Sequence, residues 1–280
     1  MLDLTRDSKK LSIAGNRGGQ WGTWAMSISN GQEEPSAAND SNYERDLPLW
    51  SPDGNRLAYM RTIRSTQEAQ IVVWSRDSRN EEPVAAWNSQ MGQVFDWSPD
   101  GTSLLMSRLN EGTGRTEIWL LPVSTRFHAE TTARRIISDP TYYLFQPHFS
   151  PNGRWIVFEV VTNSPTPEES ALFVVPAAGG AWTRITNGKQ WDDKPRWSPD
   201  GRMIYFLSGR RGFFNLWGVR FDPVKGERQG QPFPVTSFES RTLMIPKHIP
   251  SVEMSLTKDR LVVPLAQASG SIWVLDNVDR

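Results

Sequence analysis

The sequence contains no cysteine and only three histidines among its 280 residues. Without cysteine, disulfides and thiolate metal sites are excluded. The histidines are His128, His148 and His248, and none of them has a second histidine at metal-ligand spacing. A lone histidine is usually structural or solvated. We therefore predict that the protein holds no metal ion and no cofactor.

Neither sign of charge is in excess, because 31 Lys and Arg residues balance 31 Asp and Glu residues. A nucleic acid or an anionic membrane would favour a basic surface. The basic pairs Arg134-Arg135 and Arg210-Arg211 fit solvated loops or strand ends better than a nucleic-acid site. Apolar runs are only a few residues long, so none spans a bilayer, and residues 1–10 lack the apolar core of a signal peptide. We predict no nucleic-acid partner and no membrane insertion.

Familiar catalytic motifs are also missing. The sequence has no Gly-x-Ser-x-Gly elbow, no phosphate-binding P-loop and no dinucleotide fingerprint. These absences exclude a self-contained α/β-hydrolase, a P-loop NTPase and a Rossmann oxidoreductase. We predict that the protein is not an enzyme.

What the sequence does contain is a repeat. An aromatic residue followed by Ser-Pro-Asp-Gly or Ser-Pro-Asn-Gly begins at Trp50, Trp97, Phe149 and Trp197. A period of roughly 40–50 residues is typical of propellers. Proline presets the second position of a type I turn, and glycine takes the positive φ that closes it, so the motif predicts a β-hairpin. The aromatic residue ends the first strand, and we predict that these tryptophans are structural and pack between sheets.

The second strand of each hairpin keeps a fixed register, with apolar residues three and five positions after the glycine. Two degenerate copies that lack proline and glycine have the same spacing, starting at Leu4 and Met254. A third strand follows each of the six hairpins. A fourth strand is expected beyond it and is weak after the first repeat. Its expected positions are Pro83 to Trp87, Arg134 to Ser138, Thr183 to Thr186 and Pro234 to Ser237. The third strands lie at 23–26, 71–74, 118–121, 172–175, 216–219 and 272–275.

This pattern resembles the PD40 repeats of TolB-like propellers over essentially the whole chain. The resemblance implies an all-β, six-bladed β-propeller of mostly four-stranded antiparallel blades, as one domain over residues 1–280 and as a monomer. Similar propellers occur in the bacterial cell-envelope Tol–Pal system, beside peptidase domains and behind regulatory or kinase domains. The sequence lacks the amino-terminal α/β domain of TolB.

We expect this propeller to be the carboxyl-terminal part of a larger bacterial protein. Upstream residues would then supply the outer strand that its last blade lacks. The compartment would be the periplasm or cell envelope if the parent protein carries a signal peptide, and the cytoplasm otherwise.

A candidate site lies just before the aromatic position of each repeat. Alternate residues of a strand face opposite ways. The residues two before the aromatic are apolar throughout, and we expect them to pack between blades. The residues one before it are mostly polar, and we expect them to line the central channel. The apolar set is Leu2, Pro48, Phe95, Pro147, Pro195 and Val252. The second set is Asp3, Leu49, Asp96, His148, Arg196 and Glu253.

Asp96, His148, Arg196 and Glu253 are the candidate ligand-binding residues, and purely structural ion pairs are the alternative. The leading hypothesis is a non-catalytic propeller that binds a protein or peptide, as the sensory or interaction module of an envelope or signalling protein. The alternative is a lyase of the TolB-like kind, or a hydrolase-associated propeller, with a metal or a polar site in its channel. A third reading is that the propeller is purely architectural.

Overall fold

The computed structural model describes residues 2–36, 41–87, 91–123, 133–162, 169–240, 242–249 and 252–267. Two features of the sequence analysis lie outside these residues: His128 and the last predicted third strand, at 272–275. Within them, no helix is long and apolar enough to cross a membrane.

Five antiparallel four-stranded sheets form blades 1 to 5, and in each the strands follow chain order. Blade 1 is β1 to β4 (Leu2–Leu4, Lys10–Arg17, Gln20–Ser27, Glu33–Pro35). Blade 2 is β5 to β8 (Tyr43–Trp50, Arg56–Ile63, Ala69–Ser75, Glu81–Trp87). Blade 3 is β9 to β12 (Met91–Trp97, Ser103–Asn110, Arg115–Pro122, Arg134–Ile137). Blade 4 is β13 to β16 (Tyr143–Phe149, Trp155–Val161, Ser170–Pro176, Thr183–Arg184). Blade 5 is β17 to β20 (Asp192–Trp197, Met203–Ser208, Asn215–Asp222, Glu227–Pro234).

The sixth blade position holds one short hairpin and one further pair of strands in the part of the chain that is described. Strand β22 (Ser255–Leu256) pairs with β23 (Leu261–Val262), and β21 (Leu243–Met244) pairs with β24 (Ala266–Gln267). The pair β22–β23 is the degenerate hairpin predicted from spacing alone. The expected missing outer strand would lie beside residues 272–275, outside the described residues, so it stays a prediction.

The predicted turns join the first and second strands of blades 2 to 5. In the turn of blade 5, the Gly201 N–H donates to the Ser198 carbonyl at 2.8 Å, and Gly201 has φ of 69°. The Asp200 carboxylate accepts from the Ser198 hydroxyl at 2.6 Å and from the Arg202 N–H at 3.0 Å. These bonds explain why serine, aspartate and glycine recur at fixed positions.

Two fourth strands differ from the sequence prediction. The polar segment after the first repeat does form a fourth strand, β4, although it is short and exposed. In blade 5, β20 covers Glu227–Pro234, so it lies before the expected position of the fourth strand near Pro234 to Ser237. Outer strands are solvated, so hydrophobic periodicity locates them poorly.

Trp97 and Trp197 pack between blades, as predicted, whereas the buried cluster around Trp50 lies within blade 2. Trp97 is 3% exposed and lies in one buried cluster with Ile71 and Val73 of blade 2 and Leu104 and Met106 of blade 3. Its indole N–H donates to the Leu49 carbonyl of blade 2 at 3.0 Å. The Trp97 ring therefore joins two neighbouring sheets through apolar contact and one hydrogen bond, and the Trp197 indole N–H makes the equivalent bond to the His148 carbonyl.

Proline and glycine of neighbouring turns also meet. A Cβ at Gly153 would lie 3.6 Å from Pro99 Cγ, and one at Gly201 would lie 3.6 Å from Pro151 Cδ. Each glycine therefore sits against the proline of the preceding blade. The contacts place these turns around the central axis, at the mouth of the channel.

Candidate functional site

The second set of residues faces the central channel, as expected. All six line one cavity of about 450 Å³ that opens among the motif turns. Of the apolar set, Pro48, Pro147, Pro195 and Val252 are buried. Leu2 and Phe95 also line the cavity, so the strict alternation of faces predicted from the sequence is wrong at these two positions.

A β-bulge precedes the cavity residue in three blades. The strand register shifts just before Leu49, His148 and Arg196. At each shift one residue has a positive φ and is followed by proline: Leu47 at 59°, Gln146 at 51° and Lys194 at 54°. A bulge adds one residue to a strand and re-aims the side chains that follow. The inner strands are therefore bent where they reach the channel.

The two aspartates connect neighbouring blades. Asp3 accepts from the Trp50 backbone N–H at 2.8 Å and from the Ser255 hydroxyl at 2.9 Å. Asp96 accepts from the Phe149 and Trp97 backbone N–H groups, each at 2.8 Å. All four donors are neutral, so among these bonds neither carboxylate has a cationic partner.

The opposite side of the channel carries a chain of paired charges. Glu253 accepts from Arg196 Nη2 at 3.0 Å and from Lys194 Nζ at 3.1 Å. Arg196 Nη1 donates to the Pro195 carbonyl at 2.9 Å and to His148 Nε2. Since arginine only donates, Nε2 of His148 is the acceptor and its proton sits on Nδ1. That nitrogen lies 3.7 Å from Asp96 Oδ2.

The channel changes the acidity of these groups in opposite directions. Burial raises the pKa of Asp3 and of Asp96 to about 7, and the charge of Asp96 adds to the rise at Asp3. Burial, followed by the Arg196 charge, holds the pKa of His148 well below its usual value. Burial opposes ionisation of Glu253, but Lys194 and Arg196 outweigh it and lower its pKa. His148 is therefore neutral and Glu253 ionised near pH 7.

A deeper group of charges was not anticipated from the sequence. Lys194 is 3% exposed, and Glu159 and Asp193 are each 4% exposed. Burial and then the Asp193 charge raise the pKa of Glu159 well above its usual value. Burial opposes the charge on Lys194, but Asp193 and Glu253 outweigh it and raise its pKa. The one available signal was the Lys194-Pro195 pair, because proline inside a strand marks a bulge.

Comparison with known proteins identifies the repeat. The family model for the PD40 repeat, described as a TolB beta propeller domain, matches residues 127–231. The solved structure of TolB from Acinetobacter baumannii superposes with a TM-score of 0.60 at 15% identity, over 78% of this chain and 51% of that one. The chain is a TolB-like propeller of the PD40 type.

Two further relatives extend the comparison. The Tol-Pal system protein TolB of Francisella tularensis subsp. tularensis is 25% identical over 221 residues, covering 78% of this TolB-like chain and 47% of that protein. An oligogalacturonate lyase in complex with manganese superposes with a TM-score of 0.59 at 15% identity, over 86% of this chain and 66% of that one. The chain spans about half the length of the curated relatives it matches first. At such identities the likeness of the solved structures establishes the fold.

The two aspartates predict a pH dependence of stability. A carboxyl whose pKa is higher in the folded state binds more protons folded than unfolded, so stability falls as pH rises between the two values. We expect the wild type to lose stability, relative to Asp3→Asn/Asp96→Asn, between about pH 4 and pH 7. Urea unfolding of both proteins at several pH values measures the difference.

The comparison is made between two proteins because His148 titrates in the same range with the opposite sign. His148 and Glu159 are common to both proteins, so their effects largely cancel. The side chain of Asp96 is 31% exposed, and this exposure reduces the contribution of Asp96 to the pH dependence of stability. Parallel stability curves for the two proteins would contradict the raised pKa values.

Proposed function

We propose that this propeller is a non-catalytic binding module whose channel mouth takes an extended segment of a partner protein. The observation that carries the proposal is the cavity of about 450 Å³. Polar residues form its floor (Asp3, Asp96, His148, Arg196 and Glu253), and apolar side chains form its walls. Similarity to a TolB protein of the Tol-Pal system supports a protein partner.

The entrance suits a peptide in particular. Pro52, Pro99, Pro151 and Pro199 line the cavity on their respective turns, and Phe95 adds an aromatic wall. These rings are rigid and lose little conformational entropy on binding. A ring of apolar groups around a narrow mouth favours a chain that enters end-on over a flat protein surface.

A lyase or hydrolase-associated role is the second candidate. Its support is the fold likeness to an oligogalacturonate lyase with manganese. Over the described ranges, no three His, Cys, Asp or Glu side chains are grouped so that they could hold a metal ion. Nε2 of His148, which is the acceptor nitrogen of this ring, already accepts from Arg196. Binding without catalysis is therefore the function that these residues support best.

Blocking the mouth should abolish binding. Pro199 lines the cavity and is exposed, so Pro199→Arg adds a long charged side chain at the entrance without disturbing the core. We expect the wild type to retain members of a random twelve-residue peptide library and Pro199→Arg to retain at least about tenfold less, which corresponds to about 1.4 kcal/mol. Retention on immobilised protein, quantified by sequencing the bound peptides, is the measurement.

Val224→Arg is the matched control, because Val224 is 78% exposed and does not line the cavity. It should retain the library as the wild type does. Equal retention by Pro199→Arg would place the binding surface elsewhere, and no retention by the wild type would remove the proposed function.

A further inference from the structure

We propose that the floor of the cavity binds the amino terminus of the partner polypeptide, with its ammonium group between Asp3 and Asp96. The inference rests on the proposed function and adds the direction in which the peptide enters. Two observations support it: the pairing of charges around the channel and the hydrogen bonding of the two aspartates. The apolar mouth and the proton affinity of the aspartates are consistent with it.

The cations at the floor are already engaged. Both terminal nitrogens of Arg196 make hydrogen bonds, one to Glu253 and the other to His148 and the Pro195 carbonyl. Lys194 is buried against Glu253. A carboxylate at the end of a peptide would therefore have to displace Glu253 from two partners, and displacing one partner of a buried ion pair is costly.

Among the described residues, Asp3 and Asp96, in contrast, accept hydrogen bonds from neutral donors only. The donors to Asp3 and Asp96 are three backbone N–H groups and the Ser255 hydroxyl, all of them neutral. An ionised carboxylate offers about four acceptor positions, so each has capacity for a further donor. An ammonium group supplies three donors and the charge that the aspartates lack, and such charge-assisted bonds are roughly twice as strong as neutral ones.

The way in which the peptide enters selects a chain terminus. The proline rings around the mouth favour a chain that enters end-on, so the group that reaches the floor is the end of the chain. The engaged cations disfavour a carboxyl terminus, and the two aspartates favour an ammonium group, which the amino terminus supplies.

The titration of the floor is consistent with this ligand. With a pKa of about 7, Asp3 and Asp96 are mostly protonated at pH 5.5 and mostly ionised at pH 8. The other charged or titratable groups around them are His148, Arg196 and Glu253 at the floor and Arg6 and Lys258 at the rim. A terminal amine has a pKa of about 7.7–8.0, so binding should be tightest at about pH 7–8 and weaker on either side.

The experiment uses three pools of random twelve-residue peptides on the full chain at pH 7.5. The first pool has free amino termini and no lysine, the second is the same pool acetylated, and the third is acetylated but contains lysine. We expect the first pool to be retained about tenfold or more above the other two, the effect of one charged hydrogen bond. This comparison needs no variant, so it does not depend on how a mutant folds.

Variants then locate the site. Asp3→Asn/Asp96→Asn should reduce the first pool to the acetylated level, and Asp77→Asn/Glu239→Gln, which changes two exposed carboxylates outside the cavity, should not. Equal retention of the first two pools would overturn the inference and leave the proposed function standing. Equal retention of the first and third pools would assign the floor to any ammonium group and overturn the choice of an amino terminus. If no pool is retained, both proposals fail.

Discussion

Replacing Trp97 with alanine is expected to lower the free energy of unfolding by about 3–5 kcal/mol. Trp97 is 3% exposed and packs among buried residues of two blades, so its removal leaves a cavity that neither rigid sheet can close. The variant also loses the hydrogen bond to the Leu49 carbonyl and the stacking of the Arg56 guanidinium, which lies 4.9 Å from the ring centroid. Chemical denaturation of both proteins measures the loss.

Trp21→Ala is the matched control for this prediction. Trp21 is 40% exposed on the outer part of blade 1, so its replacement should cost well under about 1 kcal/mol. If Trp97→Ala also cost less than about 1 kcal/mol, the repeated aromatic would not be a core residue. The assignment of the motif tryptophans to packing, and not to a ligand site, would then be wrong.

The hairpins could be predicted from the sequence because their rules are local. Pro52, Asp53 and Gly54 each have a backbone requirement that a turn meets, and Leu57 and Tyr59 follow at the strand period. The same register located the degenerate copies at Leu4 and Met254, which keep the strand spacing without the turn residues. Four clear turns joining the first and second strands of blades 2 to 5 confirm this part of the prediction.

The position of the cavity residues was predictable for a related reason, and their pairing was not. Counting back from the aromatic placed Asp96, His148, Arg196 and Glu253 at the channel, because the aromatic fixes the register of each inner strand. Which of them meet depends on how neighbouring blades are rotated and on the bulges before His148 and Arg196. The separation of paired cations from unmatched aspartates therefore emerged only from the structure.

Lys194 was missed because its position breaks the alternation on which the prediction relied. It has a positive φ within a β-bulge, so counting by twos from Trp197 gives no orientation for its side chain. Lysine is also almost never fully buried unless it is paired, and its hydrogen-bond partner Glu253 lies at the next blade position. A periodic rule cannot anticipate a contact that depends on an irregularity.

Removing the buried charge of Lys194 is the second large effect that we expect. Lys194→Met keeps an unbranched side chain of similar length and the positive φ of this residue. It leaves the buried carboxylates of Asp193 and Glu253 without this cation. Breaking a buried ion pair typically costs about 3–5 kcal/mol, because one charge stays in a poorly solvated site. Equilibrium unfolding at pH 7.5 measures the loss. Lys189→Met, which changes an exposed lysine in the same blade region, should stay within about 0.5 kcal/mol of the wild type.

The cause can be separated from simple loss of packing in two ways. In Lys194→Met the carboxyls of Asp193 and Glu253 lose this cation, and Glu253 keeps only Arg196 among its described partners. Their pKa values should rise, so they take up protons in the folded state and the deficit relative to the wild type should shrink as pH falls towards 4. Adding Glu253→Gln removes one of the two carboxylates that Lys194 neutralises, so the double variant should be less destabilised than the sum of the two single changes. A deficit that is independent of pH, together with additive effects of the two substitutions, would show that Lys194 fills space and does not neutralise the acids of the channel.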